Sequence, residues 1–251
     1  MKRFGWLVLP GMAGVLGFFL VCWWNLGKAE RLIPGSLRRA VPEDCRQLVV
    51  VRPGGLDAST AEVWLLQRAP DVYPWKIAAG PMPAVVGRNG VGWGLGEPEL
   101  PNPGGYTDKK EGDGRSPAGI FRLPGAFGTA PQAPDGTRLS WQECTSTLRG
   151  VDDVKSKYYN RIVDEAAVPD KDWDSAETMR REDGLYEMGV MIGHNPDRVA
   201  GGGSCIFLHV WKGPGQGTAG CTALEVENVR KIIAWLDPGM APRLVLGVPG
   251  Q

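Results

Sequence analysis

The chain has 251 residues, enough for one large domain or two small ones with a substantial core. Its 28 Lys and Arg balance 28 Asp and Glu, so no electrostatic case exists for a nucleic-acid partner. The 36 glycines and 21 prolines point to many turns and short strands and away from a helical bundle.

In chain order, Met1-Lys2-Arg3 precede an uncharged apolar stretch from Phe4 to Trp24. That stretch is longer than the usual signal-peptide core and about the length of a membrane span. Residues 1–28 therefore read as a signal peptide or signal-anchor helix, with Gly27-Lys28-Ala29 offering a small-x-small cleavage site. Both forms imply export to the periplasm or cell envelope, and the uncleaved form adds the inner membrane as a partner. Cys22 is a poor lipidation cysteine, because Val21 stands where a small residue is needed. Residues 29–44 read as a short basic, Pro-containing linker.

The segments 46–52 and 61–68 read as two strands around the turn "PGGLDAST", and 73–80 and 83–90 continue the pattern. The Gly-rich, charged stretch 91–115 reads as loop or hairpin, and 118–123 as a strand after a Pro turn. "SAETMRRED" (175–183) suggests a short helix. "LYEMGVMI" (185–192) and "SCIFLHVW" (204–211) read as core strands. The clearest helix spans 223–236, where Val226, Val229, Ile232, Ile233 and Leu236 make one apolar stripe. Thr222 and Glu225 suggest a capping box at its start, and Asp237-Pro238-Gly239 stops it. A final strand covers 242–248. These elements predict one mainly β domain over 45–251 with a few short helices.

The chemistry centres on "HVWKGPGQGTAGCTALE" (209–225). Cys221, placed just before the expected helix, would face unpaired N–H groups that favour thiolate. The N–H groups of Gly220 and Cys221 offer an oxyanion hole. His209 ends an apolar strand, and the Gly-rich return lets its ring reach the thiol. A cysteine with a base in reach is the minimum for thiol acyl transfer. His194, the only other histidine, follows the neighbouring strand and is a candidate substrate contact or orienter. Tyr158, Tyr159 and Asn160 are candidates to line a substrate groove, and Arg115 to border it. "EGDGR" reads as a tight hairpin, Asp152-Asp153 as loop residues, and Cys205 as a small buried side chain. With Cys221 a working thiol, at most one disulfide is open to Cys45, Cys144 and Cys205.

Several segments in order carry a family resemblance. "HVWKGPGQGTAGCTAL" is similar to the His…(Ser/Thr)-x-Gly-Cys signature of the L,D-transpeptidase catalytic domain (YkuD family). "KKEGDGRSPAGIF" (109–121), "YYNRIVD" (158–164) and "GGGSCIFLHVW" (201–211) resemble a less characterised bacterial branch. The resemblance covers roughly 47–247. It implies an L,D-transpeptidase-type β-sandwich or barrel-like fold and a peptidoglycan tetrapeptide stem as substrate, with no cofactor and no metal. Cys221 would attack the carbonyl of the third stem residue and expel D-Ala, giving a thioester. An amine of a second stem would resolve the thioester into a cross-link, and water would give a trimmed stem. His209 would carry the protons, and Thr218 would shape the loop beside the thiol. Ala219 and Thr222 flank the cysteine and would contact substrate. This chain lacks the apolar-then-Arg/Asn pair that usually follows the cysteine, having Thr222 and Ala223 instead, and its His-to-Cys spacing is shorter than in many members. The implied assembly is a monomer.

Three other readings compete. An L,D-carboxypeptidase or amidase would hydrolyse the same kind of bond. A zinc hydrolase would need His194, His209 and a cysteine, but no carboxylate-containing ligand motif accompanies them. A non-catalytic envelope-binding protein would leave Cys221 inert.

Overall fold

The structure, a computed structural model, describes residues 27–69 and 72–250. The apolar stretch 4–24 expected to be a signal or anchor helix lies outside the described residues. Among the described residues, no helix is long and apolar enough to cross a membrane.

The chain folds as a mainly β domain. Its first half contributes β1 (Gln47–Pro53), β2 (Thr60–Ala69), β3 (Val72–Val85), β4 (Val91–Trp93), β5 (Ser116–Arg122), β6 (Ala126–Gly128) and β7 (Trp141–Glu143). The second half contributes β8 (Leu148–Val151), β9 (Arg161–Asp164), β10 (Ala176–Thr178), β11 (Met188–Met191), β12 (Phe207–Val210), β13 (Thr222–Leu224) and β14 (Arg243–Leu246). Among the described residues the short α-helices α1 (Gly35–Arg38) and α2 (Val226–Trp235) complete the frame, and residues 27–30 are also helical. Eleven strands join one large sheet in the order β4-β5-β14-β1-β2-β3-β13-β12-β11-β6-β7, and β10-β8-β9 form a small second sheet.

The hydrophobic pattern explains the central position of β1. Leu48, Val49, Val50 and Val51 form an unbroken apolar run, all four fully buried. Such a run fits a strand covered on both faces. β1 pairs antiparallel with β2 on one side and parallel with β14 on the other. The apolar stripe of α2 is buried through Val229, Ile232 and Ile233, and the helix packs over β11 and β12.

Four local expectations are corrected. The segments 73–80 and 83–90 are not two strands; β3 is one long strand whose pairing with β2 shifts register along its length. The expected helix over 175–183 is instead β10, which pairs antiparallel with β8. "SAETMRRED" carries only Ala176 and Met179 as apolar residues, too few for a buried helical stripe, so ladder pairing wins. The helix expected over 223–236 begins at Val226 with Glu225 as N-cap and no side-chain cap bond. The capping box does not form, because Thr222 lies in fully buried β13 between β12 and β3.

The fourth concerns residues 29–44, read as a linker, which pack onto the domain. Ala29, Leu32, Ile33 and Leu37 join the main core. Arg68 holds the segment that follows, donating to the carbonyls of Pro42 (2.8 Å), Glu43 (3.0 Å) and Cys45 (2.7 Å). Its guanidinium also lies 4.5 Å from the centre of the Trp75 ring. Leu37 is 1% exposed, so Leu37→Ala should cost about 3 kcal/mol from lost burial and a residual cavity. Chemical denaturation of the domain measures it; a change below about 0.5 kcal/mol would mean that the segment is not part of the cooperative fold.

Candidate active site

β12 and β13 run parallel, with His209 in register with Ala223. Side chains two apart on a strand share a face, so Cys221, two residues before Ala223, turns toward the same side as His209. The connection from 211 to 219 makes this possible despite its short length: the backbone is free at Gly213 and Gly215, both at positive φ. Cys221, His209, Thr218 and Ala219 line one cavity of about 370 Å³. Among the described residues no hydrogen bond joins His209 to Cys221; they face each other across that space.

The thiol belongs to a buried, mainly apolar cluster that includes Phe127, Met179, Tyr186, Cys205 and Phe207. Its sulfur accepts the Phe207 backbone N–H at 3.3 Å and lies 3.7 Å from the Cys205 carbonyl. Burial pushes the thiol up to about 12, with the Glu177 charge adding to the rise and the Phe207 N–H opposing it. This corrects the expectation of a thiolate favoured by a helix end. The residue after Cys221 enters a strand, and the helix starts only at Val226, beyond the reach of its terminal dipole.

His209 is almost wholly buried. Its Nδ1 lies 2.7 Å from the Val210 carbonyl. A carbonyl only accepts, so Nδ1 carries the proton and Nε2 keeps its lone pair. Burial lowers the imidazole to about 4. The ring stands edge-on to Tyr186 at 5.1 Å, and the Tyr186 hydroxyl donates to Glu177 at 2.7 Å. Both members of the pair are therefore neutral in the resting site around pH 7.

The loop before the thiol is tied from two sides. Thr218 Oγ1 donates to the Cys221 carbonyl at 2.6 Å and accepts the Gly220 N–H at 3.1 Å. Ser116, at the start of β5, donates to the Gly220 carbonyl at 2.7 Å and accepts the Gly87 N–H at 2.9 Å. The Gly220 N–H is thus already engaged by Thr218. Gly220 and Thr222 are buried and do not line the cavity.

The other candidates lie elsewhere. His194 lines a second cavity of about 600 Å³ together with Asn160. Its Nε2 lies 2.9 Å from the Gly202 carbonyl, its ring is edge-on to Phe121, and burial lowers it to about 4. The two histidines are not brought together, as a shared metal site would require. Tyr159 lines neither cavity; its hydroxyl donates to Glu111 at 2.6 Å and accepts the Gly203 N–H at 3.1 Å. Asn160 donates to the carbonyls of His194 and Asn195 and accepts the Cys205 N–H. Arg115 points away toward the Asp57 carboxylate at 2.9 Å. Cys45, Cys144, Cys205 and Cys221 are all free and buried.

Sequence reasoning missed Ser116, Glu177, Arg88, Arg181 and Lys212; all but Ser116 line the cavity of Cys221. Ser116 stood in a turn-like "RSPAG" with nothing to link it to a residue 105 positions later. Ser116→Ala would leave the Gly87 N–H without its acceptor and the Gly220 carbonyl without its donor. It should cost about 2 kcal/mol and loosen the thiol loop, read as a lower denaturation midpoint together with faster amide exchange at 219–221. Unchanged exchange there would remove Ser116 as the anchor of that loop.

Comparison with known proteins adds one finding. The model of the L,D-transpeptidase catalytic domain (YkuD) matches residues 57–245, a span holding both sides of the cleft. No curated protein and no solved structure gives a match. Members of this family are typically transpeptidases that act on peptidoglycan peptides. With the match covering most of its length, the chain belongs to the L,D-transpeptidase catalytic domain family.

Proposed function

We propose that the protein is a cysteine acyltransferase acting on peptidoglycan stem peptides, with Cys221 as nucleophile and His209 as its base. The observation that carries this reading is the shared cavity of a buried thiol and a buried imidazole whose Nδ1 is fixed by the Val210 carbonyl. The proton arrangement defines the chemistry. A thiol near 12 and an imidazole near 4 do not form a resting ion pair. His209 Nε2 takes the thiol proton as sulfur attacks the carbonyl carbon of the third stem residue. The tetrahedral oxyanion then needs donors, and the Cys221 N–H is the candidate, since the Gly220 N–H is held by Thr218. Collapse expels D-Ala, whose nitrogen takes the proton back from His209, and leaves a thioester on Cys221.

An amine of a second stem resolves the thioester into a cross-link, and water resolves it into a trimmed stem. The cleft cations Arg88, Arg181 and Lys212 suit a substrate rich in carboxylates, as stem peptides are. In this reading the apolar segment 4–24 delivers the domain to the cell envelope, and the protein works as a monomer.

The deciding experiment incubates the protein with tetrapeptide muropeptides, with and without a free D-amino acid, and follows products by intact mass spectrometry. Cys221-dependent loss of D-Ala with exchange or dimers is the expected result. Loss of D-Ala alone would make the protein a carboxypeptidase. An acyl-enzyme that persists in Cys221→Ala would overturn the assignment. His209→Ala should slow acylation by about a hundredfold and shift its pH dependence upward; an unchanged profile would remove His209 as base. For the intact protein, acylation requires neutral His209. Its rate should fall as pH drops through about 4 and hold level from about 5 to 9. An acidic limb near 6.5 would show that burial does not hold the imidazole neutral.

A further inference from the structure

Glu177, on β10, is a carboxylate that the acylation step does not use. It is the only acidic residue lining the thiol cavity among the described residues, against Arg88, Arg181 and Lys212. Its oxygen accepts the Tyr186 hydroxyl at 2.7 Å, and among the described residues it makes no salt bridge. Arg181, a lining cation whose charge acts on Glu177, is engaged bidentately by Asp183 at 2.5 and 2.9 Å. Burial pushes Glu177 above the ordinary carboxylate range, Asp152 and Glu111 add to the rise, and Arg181 opposes it. A half-buried carboxylate with one neutral donor is incompletely compensated. A cation entering the cleft would complete it.

We propose that Glu177 is the recognition residue for the acyl acceptor, receiving the primary ammonium of the incoming amine beside the Cys221 thioester. This rests on the acyl-transfer reading and names the residue that favours amine over water. The step balances as follows. The ammonium gives one proton to the Glu177 carboxylate. The freed nitrogen attacks the thioester carbonyl carbon, and the carbon–sulfur bond breaks. The second nitrogen proton passes by way of His209 to the departing sulfur. The products are an amide and the Cys221 thiol, and the Glu177 proton goes to water. Arg88 and Lys212 remain for carboxylates, so the cleft separates the two charged ends of an amino-acid-like acceptor.

The test uses D-methionine as acceptor and the tetrapeptide muropeptide as donor, and reads the ratio of exchange product to hydrolysis product. Both arise from one acyl-enzyme, so changes in acylation rate cancel. Glu177→Gln, which is nearly isosteric, should lower that ratio at least tenfold. Glu177→Asp, which keeps the charge, should lower it less. In parallel, D-methionine binding to Cys221→Ala protein is followed by NMR, with N-acetyl-D-methionine as the uncharged control. Binding should need the free ammonium and disappear when Glu177→Gln is added. An unchanged ratio in Glu177→Gln, an equal fall in both Glu177 variants, or D-methionine binding that ignores Glu177 would overturn the proposal. If the wild-type protein forms no acyl-enzyme, the acyl-transfer reading fails, and the binding arm alone decides whether Glu177 reads an ammonium.

Discussion

The site depends on taking one sulfur atom out of water. Cys221 reaches its place because β13 is clamped between β12 and β3, and because Phe207 and Cys205 hold the sulfur from the facing strand segment. Desolvation then dominates every other influence on the thiol. The same burial holds His209 neutral, while the Val210 carbonyl accepts the hydrogen bond of the Nδ1 proton. A dry cleft makes a weak resting nucleophile. It also strengthens each dipole aimed at the charge that develops during reaction.

Much of this architecture was legible in the chain. The strand runs at 46–52, 61–68, 118–123, 185–192 and 242–248 carried enough β-branched and alternating residues to be read locally, and the stripe of α2 was clear. What failed has a common cause. The expected cap at Thr222 and the expected helix at 175–183 were judged from neighbours in sequence. Their backbones are instead claimed by partners far away, β12 for residue 222 and β8 for 176–178. The His209/Cys221 pair was readable because both lie on one strand–loop–strand unit. His194 and Tyr159 were drawn toward the cleft by adjacency in sequence, whereas one lines a separate cavity and the other binds Glu111. Glu177 and Ser116 left no local trace, since their roles arise only when distant strands meet.

The positive φ of Cys205, at 51°, belongs to the same logic. A side chain rarely adopts this backbone conformation without cause. Here the Asn160 carboxamide captures the Cys205 N–H, and the resulting bend directs the Cys205 carbonyl and the Phe207 N–H at the sulfur of Cys221. The lining of the second cavity is thereby coupled to the first: Cys205 and Phe207 form a wall of one and hold the Cys221 sulfur of the other.

The place of β14 has a consequence for how the molecule comes into being. It is the last strand in the chain, yet it lies between β1 and β5, near the sheet's interior rather than at an edge. Until Arg243–Leu246 is in place, β5 lacks the strand that joins it to β1 in the large sheet, and Ser116 at the start of β5 meets Gly220 and Cys221 from a strand paired on one side only. Long-range closure of this kind is slow. Every residue that lines the cleft precedes β14, so the cleft is complete in sequence before the sheet that carries Ser116 is closed in space.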